Sequence, residues 1–354
     1  MKYNKIHNTN LKASLLSLGT MTFGAQNNFQ ESSQMLDIAV DNGINFIDTA
    51  ELYPSPADEH HNAHHTEMFI GKWIKTKKIN RDNLVIVSKV MGPMSQLIEL
   101  DNPARVCINP LSGETIKSSV DKILSRLNTN YIDILLVHWP LRNSNFFGKL
   151  GYIHQQEDFD VNKHIQSTIE TMNELIESGK IRHYGVSNET AWGLMKYIQI
   201  ADKENLPRPV VCQNPYSLLN RSYEVGMAEI SIREKIGLMA YSVIGGGILT
   251  GKHINGFVKN SRYDLRPDYY NRYTNKESLD ATNEYVNLAK KYNICPTQMA
   301  ISFVNKQQFI LSTITGSTKT KHLQSYIDSL SADLPNELLT EIEQIHRKFT
   351  YPSP

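Results

Sequence analysis

Four side chains stand at spacings that suit one kind of chemistry. The segment FIDTAELY puts a carboxylate, Asp48, at the end of a short apolar run and a phenol, Tyr53, in the loop that follows. IVSKV closes the next apolar run on Lys89, and LLVHWP closes the one after on His138. Adding hydride to a carbonyl makes an alkoxide, so such a site needs a proton donor and stabilisation of the growing negative charge. A tyrosine titrates near pH 10 in water, too weak an acid for efficient donation at neutral pH, and a cation beside it lowers that value by favouring phenolate. Lys89 would be that cation, Asp48 would hold the lysine, and His138 would orient the carbonyl oxygen through a hydrogen bond. Singly, each has a plainer reading: a helix-capping Asp, a solvated Lys, a satisfied core His. Their recurrence at the ends of three successive apolar runs marks them as a set.

Those ends must be brought to one place. Short apolar, β-branched runs alternate with segments of helical period, as in a parallel sheet wrapped by helices. Strands are expected at residues 16–18, 46–48, 85–89, 132–138, 181–187, 210–213, 237–241 and 310–315. Helices are expected between them, among others at 31–42, 116–127, 165–178, 191–203 and 323–330, which makes eight strand-helix units. The runs end in polar residues (Asp48, Lys89, His138, Ser187, Asn188, Gln213), so one mouth should carry the chemistry, as in a (β/α)8 TIM barrel. An open doubly wound sheet would favour a GxGxxG turn after the first strand, and LGTMTFG lacks it. No linker separates independent halves, so residues 1–354 read as one barrel domain. Residues 3–13 alternate about Asn8 and Asn10 like an N-terminal β-hairpin able to plug the barrel's lower end, and residues 335–349 read as an extra C-terminal helix. Two stretches, 54–65 and 243–275, are long and irregular, which in a compact domain suggests functional covers.

Bulk properties exclude several classes. Of 354 residues, 40% are hydrophobic and 21% charged, and 37 basic residues nearly cancel 36 acidic ones. Basic residues are not gathered into a nucleic-acid patch. Cys107, Cys212 and Cys295 are odd in number and far apart, which fits a reducing compartment rather than a disulfide framework. The polar MKYNKIHNTN is no signal peptide, and residues 236–249 are too short and glycine-rich to span a bilayer, so a soluble cytoplasmic protein is expected. Oligomeric state is not written in the sequence, since no heptad or apolar helix face betrays an interface.

DTAELY, SKV, VHWP, GVSNE and QNPYSLLNR, in this order and at these separations, resemble the aldo-keto reductase superfamily over essentially the whole chain. LGTMTFG and the closing TYPSP resemble its bacterial Tas-like branch. The resemblance implies a (β/α)8 barrel that binds NADP(H) without a Rossmann fold and reduces aldehydes or ketones, with Asp48, Tyr53, Lys89 and His138 as its catalytic tetrad. It further implies that Ser187, Asn188 and Gln213 hold the nicotinamide carboxamide, with Asp48 nearby, that Tyr216 stacks on the ring, and that Gly19, Thr20 and Met21 line its far side. The pyrophosphate would lie near Ser242, Ile244, Gly245, Leu249 and Gly251, where backbone amides and missing side chains allow close approach. TGSTKTK would meet the adenosine 2'-phosphate through Gly316, Ser317, Thr318 and Lys319, with Lys321 and His322 beside them, which favours NADPH over NADH. A phosphate at a helix N-terminus is favourable in any case; the plainer reading is a capped helix start with solvated lysines. His322 stands where the family usually has Arg or Gln, Tyr326 where it has Asn or Glu, and Pro54 replaces the common Gly after Tyr53.

Trp139, Phe146 and Phe147 would either wall an apolar substrate pocket or pack at the rim. EHHNAHH, with His60, His61, His64 and His65, has spacing that could place two imidazoles on one helical face, but without a Cys or strand-end carboxylate it is expected to hold no metal. Two other functions remain open. Some barrels of this superfamily are regulatory subunits that sense NADP(H) redox state with slow catalysis. A hydrolase or isomerase would want paired carboxylates or metal ligands at the mouth, where only Asp48 is clearly placed.

Overall fold

The computed structural model describes residues 1–55, 64–91, 112–140, 142–145, 149–265, 267 and 271–354. Eight parallel strands close into a barrel: β3 (Leu16–Gly19), β4 (Phe46–Asp48), β5 (Val85–Val90), β6 (Ile132–Val137), β7 (Ile181–Ser187), β8 (Val211–Pro215), β9 (Gly237–Tyr241) and β10 (Ile310–Gly316), with β10 returning to pair with β3. Each strand found in the sequence is present, and most bounds agree within a residue or two. Helices cover the outside: α1 (Phe29–Asp41), α2 (His65–Lys77), α3 (Gly113–Leu127), α4 (Val161–Glu177), α5 (Ala191–Lys203), α6 (Tyr223–Arg233), α7 (Arg262–Leu265), α8 (Lys276–Lys291), α9 (Pro296–Asn305), α10 (Thr320–Asp328) and α11 (Asn336–Lys348). The expected α3 and α4 began too late, because Ser112 and Asp160 cap them further upstream by accepting from Thr115 N–H and from Asn162 and Lys163 N–H.

Two apolar layers explain the alternation within each strand. Val85 and Val87 face the barrel interior with Phe46, Ile134, Leu136, Val211 and Met239. Ile86, Val90, Cys212 and Leu238 face the helices. Because side chains alternate with period two, the interior parity that holds Val85 and Val87 carries on to Lys89. In the same way Phe46 leads to Asp48, Leu136 to His138 and Val211 to Gln213.

The hairpin of β1 (Tyr3–Lys5) and β2 (Lys12–Ser14) closes the opposite end. Its Ile6 and Ala13 join the interior layer, and Asn4 Nδ2 donates to Leu311 O at 2.9 Å. No described helix is long and apolar enough to cross a membrane.

Candidate active site

The ends of β4 and β5 bring acid and base together. Asp48 pairs in register with Val87, which sets Lys89 one pleat further on, inside the barrel. Lys89 Nζ donates to Asp48 Oδ1 at 2.7 Å and to Thr49 O at 2.8 Å. Gln213 Nε2 donates to the same carboxylate oxygen at 2.7 Å. Lys89 is wholly buried, and burial pushes its pKa down while Asp48, and more distantly Glu67, pull it back up. The ammonium is therefore sustained by Asp48, since an unpaired buried charge would be costly.

The phenol reaches this pair from the loop after β4. Glu51 N–H donates to Lys89 O at 3.1 Å and Tyr53 N–H to Ala50 O at 3.0 Å, a tight turn that starts from the neighbouring strand. Lys89 Nζ lies 4.9 Å from the centroid of the Tyr53 ring, and the His138 ring meets Tyr53 edge-on at 5.9 Å. His138 extends β6, with N–H to Val90 O at 3.0 Å. Its ring is buried, and burial, followed by the Lys89 charge, holds its pKa well below the usual imidazole value. The imidazole is thus neutral at physiological pH, and its buried Nδ1 has no hydrogen-bond partner among the described residues. Trp139 stacks on it at 5.7 Å.

A buried ion pair backs β5. Ser88 Oγ and Arg126 Nε donate to the two oxygens of Glu67 at 2.6 and 2.7 Å. Burial pushes the Glu67 carboxyl up, against the pull of Arg126. α2 can approach α3 this closely because Gly71 has no Cβ, which would lie 2.1 Å from Arg126 O.

On the opposite wall, Asn188 follows β7 in the left-handed region at φ 58°. Its amide donates to His138 O at 2.8 Å and accepts from Tyr241 Oη at 2.5 Å. Ser187 Oγ donates to Gln213 O at 2.9 Å. Asp48, Lys89, His138, Tyr53, Ser187, Asn188, Gln213 and Tyr241 therefore converge on one mouth.

The aldo/keto reductase family model matches residues 15–347. The chain belongs to the aldo/keto reductase family. It is 42% identical over the full length of both chains to "Protein tas" of Escherichia coli (strain K12). It is 32% identical to an "Aldo-keto reductase" of Babesia bovis, across 76% of this chain and 98% of that one. A "Probable voltage-gated potassium channel subunit beta" of Arabidopsis thaliana is 26% identical, across 98% of this chain and 96% of that one. As an aldo/keto reductase the protein is an oxidoreductase, of a family that uses nicotinamide cofactors on small carbonyl compounds.

Most residues expected at the cofactor lie around this reductase mouth, while Tyr216 and the amides of Gly245, Leu249 and Gly251 are engaged within the protein. Tyr216 is fully buried: its ring packs on Phe303 and Phe309, and its hydroxyl donates to Glu224. It shares the outward parity of Cys212 and so has no face to offer a ligand ring. The aromatic that the neighbouring strand, β9, brings to the mouth is Tyr241, which shares the inward parity of Met239 and is half-buried. Leu249 is also buried, and its N–H donates to Ile244 O at 3.2 Å. The amides of Gly245 and Gly251 likewise donate within the loop, to Ser242 O at 2.7 Å and Ile248 O at 3.0 Å. These three amides therefore hold the loop in shape, in which Ser242, Gly245, Gly246, Gly247 and Gly251 all take positive φ. Thr20 is buried, with Oγ1 donating to Asp48 O at 2.7 Å, and Gly19 pairs with both Asp48 and Gly316. Met21 is half-buried beside them.

The loop after β10 leads into α10, whose N-cap, Lys319, makes no side-chain cap bond. Ser317 Oγ accepts from Lys319 N–H at 3.2 Å, and Thr318 O accepts from Asn27 Nδ2 at 2.9 Å. Burial lowers the Lys252 and His322 pKa values, and neighbouring cations lower them further: Arg262, Lys319 and Lys321 on Lys252, and Lys252, Lys321 and Lys319 on His322. The sequence reading did not reach Lys252 and Arg262, which lie far from TGSTKTK in the chain. Phe146, Phe147, His60 and His61 lie outside the described residues. His64 Nδ1 lies 2.6 Å from Glu51 O, and His65 stacks on Phe69.

Proposed function

We propose that this aldo/keto reductase reduces aldehydes or ketones to alcohols with NADPH, with Tyr53 as the proton donor. The observation that carries the reading is the buried Lys89, 2.7 Å from Asp48 and 4.9 Å from the Tyr53 ring centroid. A cation so placed stabilises phenolate, which makes the phenol a stronger acid. Neutral His138 donates a hydrogen bond to the carbonyl oxygen without carrying charge into the site. When bound, the reduced nicotinamide supplies the hydride. Ser187, Asn188 and Gln213 hold its carboxamide beside Asp48, Gly19, Thr20 and Met21 line one side, and Tyr241 takes the stacking role first given to Tyr216. Trp139 walls the substrate side.

The fit to a phosphorylated dinucleotide rests on the crowd of cations. Lys252, Arg262, Lys319 and Lys321 raise one another's electrostatic cost, and a dianionic phosphate at the uncapped start of α10 relieves it. Titration with NADPH and NADH, following intrinsic fluorescence, should show at least about tenfold preference for NADPH, and Lys252→Ala combined with Lys319→Ala should erase most of it. Equal affinity for both dinucleotides in the unaltered protein would refute the phosphate site.

A second reading is favoured by the 26% identity to a probable potassium channel β subunit: a nicotinamide-sensing subunit with slow turnover. Tight NADPH binding with negligible carbonyl turnover and a stably co-purifying partner would favour it.

A further inference from the structure

The Pro352–Ser353 dipeptide is fastened on two sides. Ser353 is wholly buried. Its N–H donates to Leu219 O at 3.3 Å, its carbonyl accepts from Asn220 Nδ2 at 3.1 Å, and its hydroxyl lies 2.8 Å from that of Ser278. Pro352 O is within 2.7 Å of Ser278 Oγ and accepts from Asn275 Nδ2 at 2.9 Å. One anchor is therefore the loop leaving β8, and the other is the first turn of α8, where Asn275 is the N-cap and accepts from Ser278 N–H at 2.8 Å.

Both anchors lead to the same loop. A Cβ built on Gly245 would meet Leu219 Cδ1 at 3.4 Å and Tyr273 Cδ1 at 3.3 Å, so side chains from both sides line the space beside that glycine. Arg272, whose carbonyl accepts from Asn275 Nδ2 at 3.0 Å, donates to Ser242 Oγ at 3.4 Å. Ser242 is held at positive φ, a conformation that a residue with a side chain keeps only when the surroundings impose it, and Gly245 takes the same region without that strain.

We infer that Pro352–Ser353 is a positioning element for the cofactor loop, joining the return of that loop into α8 to the exit of β8 and thereby holding the Ser242–Gly245 backbone in its binding shape. The inference rests on the NADP(H) reading above. A dipeptide that only filled a surface groove would stabilise the free and loaded protein equally. One that shapes the loop favours the loaded form, and by reciprocity the cofactor tightens the dipeptide.

Two measurements test this. In a chain ending at Tyr351, and in Ser278→Ala, the NADPH dissociation constant should rise about tenfold, through faster release in stopped-flow fluorescence. In the unaltered protein, NADPH should slow hydrogen exchange at the Ser353 amide. Dissociation constants within about twofold of the unaltered chain's would overturn the inference. So would Ser353 exchange that ignores NADPH, and this second measurement decides even if the shortened chain fails to fold. Absence of NADPH binding by the unaltered protein would bring down the functional reading as well, whereas binding that is indifferent to the dipeptide would bring down this inference alone.

Discussion

At the scale of single residues, burial and one ion pair set the charge states of the site. His138 is held neutral by burial and by Lys89. Its folded pKa is depressed below that of the unfolded chain, so between the two values the unfolded state binds more protons and stability falls as pH falls. The loss should begin near pH 6.5, the unfolded imidazole value, and continue downward at up to about 1.4 kcal/mol per pH unit for this group. Denaturant unfolding at a series of pH values should therefore show a shallower acid-side slope in His138→Gln than in the unaltered protein. Identical slopes would mean that His138 is not buried neutral. The residue types of the candidate tetrad were legible in the sequence because three of them stand at strand ends and Tyr53 stands in the loop just after one. Their charge states were not, since they depend on burial and on separations of a few ångströms.

At the scale of elements, strand parity decides what faces the mouth. Tyr216 lies just past β8 on the parity of Cys212, and Tyr241 ends β9 on the parity of Met239. The QNPYSLLNR motif drew attention to Tyr216, which is buried, although the alternation Leu238, Met239, Ala240, Tyr241 was already readable as out, in, out, in. Tyr241→Ala should weaken NADPH binding by about 1 kcal/mol or more, the scale of an aromatic contact with its hydrogen bond. Tyr216→Phe should leave that affinity unchanged and lower the melting temperature, because the buried hydroxyl of Tyr216 serves Glu224. Fluorescence titration and thermal melts of the two variants separate these outcomes, and the reverse pattern would restore Tyr216 to the cofactor. Element bounds were least legible where a polar cap, such as Asp160 before α4, starts a helix a turn ahead of its first fully buried apolar residue, here Ile165.

At the scale of the whole molecule, barrel closure converts separations in sequence into proximity. Asp48 and Gln213 share a hydrogen bond across 165 positions, and the cations around α10 come from two separate stretches of chain. The barrel itself was legible from eight apolar runs with polar ends. The cation cluster was not, because Lys252 and Arg262 arrive on an irregular loop whose path no periodicity encodes. The central claim is that this barrel makes Tyr53 the acid of a nicotinamide-dependent reduction. Its most direct test is turnover of an aromatic aldehyde with NADPH, followed by nicotinamide absorbance, in the unaltered protein and in Tyr53→Phe, with NADPH affinity measured alongside. The account predicts turnover in the first, and in the second a loss of about a hundredfold or more with affinity retained. Full turnover in Tyr53→Phe would contradict it.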